Sequence, residues 1–252
     1  MSAAQVSAAQ VSAAQMSSTQ MSAAMTDERP VALVTGGSRG IGRAICAELG
    51  RTHHVLVGGT RADSVAEVVA SLPSAEPFVA DLTDEQAVAS AAAKVGRLDA
   101  LVHSAGIGGF GDTSGSTRER WRRVLELNVV AVVDLTELLI EKLRENHGIV
   151  VAINSGAGHN ASPGNGLYPA SKFALRAYTD ALRGREMGRV RVTSIHPGRV
   201  DTDMQHELIA SEGKQYDATK YLSPDAVAET VRLAIDTDPR GQINELSIRP
   251  FN

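Results

Sequence analysis

Three polar side chains near the middle of the chain have the types and the spacing of a proton-transfer site. Ser155 directly follows an apolar run, and Tyr168 and Lys172 lie four residues apart further along. Residues four apart share one face of a helix, so the Lys172 ammonium can lie beside the Tyr168 phenol and lower its pKa from the ordinary value of about 10. Such a phenol can exchange a proton with an alcohol or carbonyl oxygen that the Ser155 hydroxyl holds by a hydrogen bond.

A glycine-rich segment, TGGSRGIG at residues 35–42, has the composition of a phosphate-binding loop. It stands between the apolar run VALVT and the helix-like sequence RAICAELG. Glycines let the backbone turn tightly and approach a pyrophosphate, and the start of a helix offers unpaired N–H groups with a partial positive charge. The position between a strand and a helix therefore predicts a dinucleotide-binding loop rather than a simple turn.

Short apolar runs, separated by segments with helical punctuation, predict the elements that position these residues. Most of the runs are nearly continuous and rich in β-branched residues, as is typical of strands buried on both faces. The predicted strands are Val31–Thr35, His54–Gly58, Pro77–Ala80, Asp99–His103, Ile149–Asn154, Arg191–Ile195 and Ile243–Ile248. Alternating strands and helices predict an α/β fold, a three-layer doubly wound Rossmann fold with a seven-stranded parallel sheet. Ligands of such sheets bind beyond the carboxyl ends of the strands.

Capping signals predict where three of the helices begin. Thr83 with Gln86, and Ser116 with Glu119, have the spacing of a capping box. Ser223 precedes a proline, which is typical of an N-cap followed by proline in the first helical position. The predicted N-caps are therefore Thr83, Ser116 and Ser223.

The spacing TGxxxGxG and the motif YPASK, which begins at Tyr168, together resemble the short-chain dehydrogenase/reductase family. The resemblance extends over nearly all of residues 31–250. It implies a catalytic group of four, in which Asn128 from the stretch LNVV joins Ser155, Tyr168 and Lys172. In the family this asparagine helps, through water, to position the lysine and relay protons.

The same resemblance implies a nicotinamide cofactor along the carboxyl ends of the strands. It places Asp81 against the adenine ring and Thr202 near the nicotinamide carboxamide, and Ser104 stands where the family usually has an asparagine. The implied cofactor-binding residues are Gly36, Ser38, Arg39, Gly40, Ile41, Gly42, Arg61, Asp81, Leu82, Ser104, Ala105, Gly106, Tyr168, Lys172, Pro197, Gly198, Val200 and Thr202.

The end of the second strand favours NADP(H) over NAD(H). An NAD-selective site places a carboxylate there to accept hydrogen bonds from the ribose 2′-hydroxyl, whereas NADP needs cations for the 2′-phosphate. This strand ends in GGT followed by Arg61, and Arg39 lies within the glycine loop. Asp63 could pair with Arg61 or disfavour the phosphate. We predict NADP(H) as the cofactor.

Three segments that follow strands, 108–114, 156–167 and 202–222, are expected to shape the substrate pocket. Few aromatic residues line them, which favours a small polar carbonyl or hydroxy compound over a flat polycyclic one. The third segment is predicted to close over the substrate as a lid. His196 is interpreted as a structural residue at a strand end. The candidate substrate contacts are Ser155, Tyr168, His159 and Phe110, with Asn160, Asn165 and Met204 as further candidates.

The composition limits the kinds of partner and compartment. The formal net charge of −4 argues against a nucleic-acid or anionic-membrane surface, and no apolar run has the length of a membrane-spanning helix. Cys46 is the single cysteine, and no metal-ligand pattern is present, so no disulfide and no metal are predicted. We expect a cytoplasmic protein with a small-molecule substrate. The family implies a homo-oligomer, a tetramer or dimer, formed through helices at about 117–144 and 168–186.

Residues 1–26 contain a low-complexity pentad repeat, SAAQV, without aromatic residues. A five-residue period drifts around a helix and cannot build one apolar stripe, so we predict a disordered tail before a single domain at 27–252. The predicted function is an NADP(H)-dependent oxidoreductase that interconverts a carbonyl and an alcohol, with Tyr168 as general acid and base. Two alternatives stay open: a cofactor-sensing regulatory protein without turnover, and an epimerase or dehydratase of the same family.

Overall fold

Parallel strands form a seven-stranded sheet in a computed structural model that describes residues 29–108, 115–211 and 213–251. The order across the sheet is β3-β2-β1-β4-β5-β6-β7. The strands are β1 (Val31–Val34), β2 (His54–Gly59), β3 (Ala75–Val79), β4 (Ala100–His103), β5 (Ile149–Ile153), β6 (Arg191–Pro197) and β7 (Glu245–Ile248). Each predicted run overlaps one of these strands, so the predicted doubly wound parallel sheet is confirmed.

The chain reverses its progress across the sheet between β1 and β4. It moves outward from β1 to β2 and β3, then returns to pair β4 with the free side of β1, where Val34 lies opposite Val102. The residues that follow β1 and β4 are therefore neighbours at the carboxyl edge of the sheet. In open parallel sheets this switch point is where ligands bind.

Helices cover both faces of the sheet and complete the three predicted layers. Among the described residues the α-helices are α1 (Gly40–Leu49), α2 (Ala62–Ala70), α3 (Glu85–Ala92), α4 (Arg118–Leu125), α5 (Ala131–Glu145), α6 (Leu167–Arg185), α7 (Asp203–Ser211) and α8 (Pro224–Asp236).

Alternate residues of the central strand β1 face two separate apolar layers. Ala32 and Val34 pack with α1, α2 and α8, whereas Val31 and Leu33 pack with α3, α5 and α6. Because side chains alternate between the faces of a strand, the continuous run VALV is buried on both sides. Cys46 lies in the first layer, and burial raises the pKa of its thiol to about 12. This packing fixes the strands whose carboxyl ends carry the site.

Two of the three predicted N-caps are wrong by one residue. Asp84, rather than Thr83, caps α3, and Thr117, rather than Ser116, caps α4. The Asp84 carboxylate accepts hydrogen bonds from two backbone N–H groups at the helix start. Adjacent polar residues compete for the cap, and sequence spacing alone does not separate them. Ser223 caps α8 as predicted.

The helix predicted at about 117–144 has an interruption near its middle. A π-helical turn, Glu126–Val130, joins α4 to α5. Single π turns inside helices are frequent at functional sites, and this one contains Asn128. The helix predicted at about 168–186 is confirmed as α6.

Some predictions fall on parts of the chain that the structure does not describe. The predicted tail, the candidate contact Phe110 and most of the pocket segment 108–114 lie outside the described residues. Among the helices within residues 29–108, 115–211 and 213–251, none is both long enough and apolar enough to cross a membrane.

Candidate active site

The glycine loop between β1 and α1 packs so closely that side chains would not fit at two of its positions. A Cβ atom at Gly42 would lie 2.2 Å from the carbonyl oxygen of Gly36, and one at Gly36 would lie 2.9 Å from the Cα of Ala105. Gly36 also has a φ of 64°, in the left-handed region that L side chains rarely adopt. The loop therefore presents backbone, rather than side chains, at the switch point.

The start of α1 has no side-chain cap. Its N-cap residue, Arg39, makes no capping hydrogen bond from its side chain, and the first turn of α1 contains no acidic residue. Side chains cap the starts of α3, α4 and α8, whereas α2 and α6, like α1, begin without a side-chain cap. A helix start without such a cap keeps its N–H groups available to an anion. Together, the glycine loop and this helix start have the features of the predicted dinucleotide loop.

Thr35 joins the two strand ends at the switch point. It is buried, and its hydroxyl oxygen accepts hydrogen bonds from the N–H groups of Ser104 at 3.0 Å and Ala105 at 3.1 Å. Thr35, which follows the neighbouring strand β1, thus holds the turn at Ser104, where the family usually has an asparagine. Sequence reasoning missed Thr35 as a site residue, although it is the first residue of TGxxxGxG.

Asn128, in the π turn, connects the turn after β4 with α6. Its side-chain oxygen accepts from the N–H of Ile107 at 2.9 Å, and its amide donates to the carbonyl of Ile107 at 3.0 Å and to the hydroxyl of Ser171 at 3.1 Å. Ser171 in turn donates to the main-chain oxygen of Tyr168 at 2.8 Å. Sequence reasoning missed Ser171, although it is the serine of YPASK.

Ser155 and Tyr168 are brought together at the carboxyl end of β5. Ser155 lies shortly after β5, Tyr168 lies in the first turn of α6, and their side chains form a hydrogen bond. Burial raises the pKa of Tyr168 above its ordinary value, and the hydrogen bond to Ser155 opposes that rise. The predicted net lowering of the phenol's pKa by Lys172 is therefore wrong, because desolvation of the phenolate is the larger effect.

Lys172 is buried beside Tyr168. Its ammonium nitrogen donates a hydrogen bond to the carbonyl oxygen of Ile153 at 2.9 Å and lies 5.7 Å from the centroid of the Tyr168 ring. Burial lowers the pKa of Lys172 to about 8. Burial thus favours the neutral form of both groups.

The two arginines predicted to bind a 2′-phosphate stand at the starts of neighbouring helices. Arg39 is the N-cap residue of α1 and Arg61 that of α2, and both side chains are exposed. Arg39 pairs with Asp203 at 3.3 Å, a contact that sequence reasoning missed. Within the described chain, Arg61 forms no ion pair, so the pairing considered for Asp63 is not formed.

Asp81 follows β3 closely, at the predicted adenine side of the site. Its carboxylate accepts hydrogen bonds from the N–H and the hydroxyl of Thr83 at 2.9 Å and 2.8 Å. These bonds hold the pKa of Asp81 below its ordinary value. Leu82 packs, half-buried, against the apolar layer beneath α3. The carboxylate is therefore ionised and held in one orientation.

The other predicted cofactor residues lie along the same edge. Ser38 lies beside Gly59, the last residue of β2, and Ile41 packs against the apolar layer beneath α1. A Cβ atom at Gly106 would lie 3.2 Å from the side-chain oxygen of Asn128. The structure thus places them beside the loop, strand ends and π turn already described.

Segment 197–202 returns from the end of β6 to the glycine loop. The N–H of Gly198 donates to the carbonyl of Ile248 at 2.7 Å, and Val200 is buried. The Thr202 methyl group would lie 3.5 Å from a Cβ atom at Gly40. The segment predicted to lie beside the nicotinamide therefore contacts the loop predicted to hold the phosphates.

His159 faces neighbouring protein groups with both ring nitrogens. Its Nδ1 lies 2.7 Å from the Arg176 guanidinium, and its Nε2 lies 4.0 Å from the Glu245 carboxylate. The ring lies 4.2 Å from the His196 ring, centroid to centroid. These contacts do not test the predicted substrate contact at His159, which stays a prediction. Of the further candidates, Asn160 is exposed, whereas Asn165 and Met204 are half-buried.

Segment 202–222 contains α7 and a cluster of rings. Tyr216 stacks on His206 with 3.5 Å between ring centroids, and Tyr221 lies 5.1 Å from Tyr216. The Tyr216 hydroxyl donates a hydrogen bond to Asp201. The few aromatic residues of this segment therefore pack against one another and His206, and the expected substrate class stays a prediction.

A surface cleft of about 460 Å³ lies at the opposite, amino-terminal edge of the sheet. Its lining includes Pro30, His53, Asp99 and Arg232. Two of its charged groups already have partners, since Asp99 pairs with Arg97 and Arg232 with Asp236. The glycine loop and Tyr168 are not part of its lining, so this cleft is separate from the residues gathered at the carboxyl edge.

Comparison with known proteins agrees with this fold. The family model for short chain dehydrogenases matches residues 30–213. The chain therefore belongs to the short-chain dehydrogenase/reductase family of oxidoreductases.

Individual relatives match over most of their length. Farnesol dehydrogenase of Aedes aegypti is 35% identical over 238 residues, which cover 87% of this chain and 95% of that protein. An alcohol dehydrogenase of the archaeon Thermococcus sibiricus, complexed with 5-hydroxy-NADP, has a TM-score of 0.81 at 26% identity, covering 89% of this chain and 97% of that one. A variant of actinorhodin polyketide ketoreductase with NADPH has a TM-score of 0.82 at 25% identity, with the same coverage of 89% and 97%.

Proposed function

We propose that this chain is an NADP(H)-dependent oxidoreductase that interconverts a carbonyl compound and an alcohol. The observation that carries the proposal is the hydrogen-bonded pair Ser155 and Tyr168, with the Lys172 ammonium 5.7 Å from the phenol ring. These groups stand at the same edge of the sheet as the glycine loop. They combine a hydrogen-bond donor, a proton donor and a cation, which are the functions that protonation of a carbonyl oxygen requires.

The residues at the switch point fit a dinucleotide. The bare backbone at Gly36 and Gly42 allows close approach of a pyrophosphate, and the uncapped start of α1 offers N–H groups to its charge. Asp81 would face the adenine, and Thr202, which lies against the glycine loop, would face the carboxamide of the nicotinamide. When bound, the nicotinamide supplies a hydride to a carbonyl carbon or accepts one from an alcohol carbon.

The positions of Arg39 and Arg61 support the cofactor form that carries a 2′-phosphate. Both arginines begin helices at this end of the sheet, and β2 ends without a carboxylate. The Arg39–Asp203 pair joins side chains that are 71% and 69% exposed, so little free energy opposes its opening. The similar structures that contain 5-hydroxy-NADP and NADPH support the same choice.

In the reducing direction, Ser155 and Tyr168 act on the same substrate oxygen. The Ser155 hydroxyl donates a hydrogen bond to the carbonyl oxygen, and Tyr168 transfers its phenolic proton to that oxygen as the carbon gains a hydride. The products are an alcohol and the Tyr168 phenolate, which the Lys172 ammonium stabilises. In the oxidising direction the phenolate removes the hydroxyl proton. Asn128, through Ser171, keeps the start of α6 in position for both directions.

We infer a small polar carbonyl or hydroxy compound as the substrate class. The polar composition of segment 156–167 supports this inference. In segment 202–222, Tyr216 already packs against His206 and Tyr221. These contacts argue against a role for Tyr216 in stacking on a flat substrate.

The function is tested with a panel of ketones, β-keto esters, 3-hydroxy acids and sugars, each assayed by absorbance with NADPH and with NADH. We expect turnover of at least one class, with a higher kcat/KM for NADPH. Tyr168→Phe is expected to lower kcat by at least about 100-fold, because general acid catalysis contributes 10² to 10⁴. Cofactor binding, measured by calorimetry, is expected to be unchanged.

The matched control is Tyr178→Phe, which removes the hydroxyl of another tyrosine on α6. It is expected to keep normal turnover. Full activity of Tyr168→Phe would contradict the assignment of the acid. NADPH binding without turnover of any compound would instead favour the regulatory alternative.

A further inference from the structure

His196, the penultimate residue of β6, holds the main chain of Ser155. Its side chain is fully buried, and its Nδ1 lies 3.0 Å from the carbonyl oxygen of Ser155 across 41 residues of sequence. A carbonyl oxygen can only accept a hydrogen bond, so Nδ1 must carry the proton. In the neutral ring Nε2 then has a free lone pair, and this buried atom has no hydrogen-bond partner among the described residues.

The surroundings of His196 keep its ring neutral. Burial lowers the pKa of His196 below its ordinary value, and the neighbouring His159 and Arg176 act in the same direction. The Glu245 carboxylate, 3.7 Å from Nε2, and the hydrogen bond to Ser155 oppose this shift. Burial is the largest of these effects and favours the neutral ring, and the Ser155 carbonyl oxygen, which can only accept, places the ring's proton on Nδ1.

A divalent cation does not explain this cluster. His159, His196 and Glu245 bring possible ligand atoms within 4.8 Å of one another. However, the Arg176 guanidinium, which can only donate, lies 2.7 Å from Nδ1 of His159, so the proton of neutral His159 must be on Nε2. That atom cannot bind a metal while it carries a proton. Arg176 also places a positive charge 3.9 Å from Glu245.

The same region fixes His196 and Ser155 from several sides. Asn154 accepts a hydrogen bond from the N–H of Ser155 at 3.0 Å, and the Ser155 hydroxyl accepts one from the N–H of Ala157 at 3.1 Å. Arg249, which follows β7, donates to the main-chain oxygen of His196. The Ser155 main chain is therefore held at its N–H by Asn154, and its carbonyl oxygen accepts from the backbone N–H of Gly158 at 2.9 Å as well as from His196.

We propose that His196 is a positioning residue that sets the orientation of the Ser155 hydroxyl toward the substrate oxygen. The inference rests on the proposed function, because it assigns His196 to the support of the proposed catalytic serine. A rotation of the Ser155 peptide group would move its hydroxyl relative to Tyr168. A displacement of about 1 Å at a reacting group can cost on the order of 100-fold in rate.

The test compares two amide substitutions that differ in where they place the N–H donor. His196→Asn puts an amide nitrogen near the position of Nδ1, whereas His196→Gln puts it near the position of Nε2. Glutamine fills more of the histidine volume, so a packing role predicts that His196→Gln is the better replacement. A positioning role predicts the opposite order. His54→Asn and His54→Gln, at a buried histidine at the start of β2, are the matched controls.

We expect His196→Gln to lower kcat by about 10-fold to 100-fold, with the KM for substrate and the Kd for NADPH within about twofold of wild type. His196→Asn is expected to keep kcat within about threefold, and both His54 variants to keep the wild-type value. Equal losses in the two His196 variants, a better His196→Gln, or a loss of NADPH binding would overturn the inference.

Crystal structures of the two His196 variants and ¹⁵N NMR of the wild-type imidazoles separate this inference from the proposed function. We expect the proton on Nδ1 of His196, an unmoved Ser155 hydroxyl in His196→Asn and a displaced one in His196→Gln. If no panel compound turns over, the proposed function fails and these measurements alone decide the positioning role. A proton on Nε2, or an unmoved Ser155 in His196→Gln, would overturn the inference even in an active enzyme.

Discussion

Lys172 combines a buried ammonium group with a hydrogen bond to a strand carbonyl. Burial lowers its pKa from 10.5 in the unfolded reference to about 8. Below pH 8 the lysine is charged in both the folded and the unfolded chain, so the folded chain carries the full cost of burying the charge. Between pH 8 and pH 10.5 the folded chain has released a proton that the unfolded chain still holds, and stability rises with pH.

Replacing Lys172 by methionine is expected to remove this dependence. Relative to Lys172→Met, the free energy of unfolding of the wild type should rise by about 3 kcal/mol between pH 7 and pH 10.5, from the shift in pKa. Urea unfolding of both proteins across this range measures the difference, and the effects of other titrating groups cancel between them. A difference that stays constant with pH would show that Lys172 is not a buried charge.

At the scale of elements, the glycine loop depends on the absence of a side chain at Gly42. Gly42→Ala would place a methyl group 2.2 Å from the carbonyl oxygen of Gly36, so the loop must shift. We expect a loss of about 1–3 kcal/mol in stability, as for other overpacked sites, together with at least about tenfold weaker NADPH binding. Urea unfolding and calorimetric titration measure the two effects.

Gly184→Ala is the control for that substitution. Gly184 lies in α6, and a Cβ atom there would have no neighbour within 4 Å. Because alanine favours a helix over glycine, this variant should gain about 0.5–1 kcal/mol and bind NADPH normally. Unchanged cofactor affinity in Gly42→Ala would contradict the role of the loop.

The strands could be predicted from the sequence because strands buried on both faces leave continuous apolar runs, as VALV in β1 does. The π turn at Glu126–Val130 could not, because its apolar pattern is that of an ordinary helix and the difference lies in hydrogen-bond partners. Asn128 was therefore identified by resemblance to a family, and the element that holds it was found in the structure.

The site was predictable where its residues lie in a local motif, as Tyr168 and Lys172 do. It was not predictable where a contact depends on which strands are adjacent. His196 meets Ser155 because β6 pairs with β5, and it faces Glu245 because β7 pairs with β6. The Arg39–Asp203 pair joins residues 164 positions apart, because segments that follow different strands meet at the same edge of the sheet.

At the scale of the whole molecule, exposed apolar side chains support the inferred homo-oligomer. Val130 in the π turn, Leu138 on α5 and Phe173 on α6 are 49%, 41% and 43% exposed, and they lie on the helices that the family resemblance assigns to the interface. Large apolar groups exposed on a surface favour contact with another protein. We propose that these helices form the contact between copies of the chain.

The double variant Leu138→Glu/Phe173→Glu is expected to dissociate the oligomer, because charges at an apolar contact must be buried without partners. Light scattering coupled to size exclusion should give a dimer or tetramer for the wild type and a monomer for the variant. The control is Val79→Glu, an exposed apolar residue on the edge strand β3, which should keep the wild-type mass. A monomeric wild type would contradict the proposal.

The contact between Arg249 and His196 has a consequence for synthesis of the chain on the ribosome. Arg249 is made 53 residues after His196, which is itself made 41 residues after Ser155. At about 5–20 residues per second, translation leaves Ser155 without this support for on the order of ten seconds. Strands β1 to β4 have already been synthesised during that interval. A nascent chain can therefore form the glycine loop and the turn after β4 before Ser155 has this support.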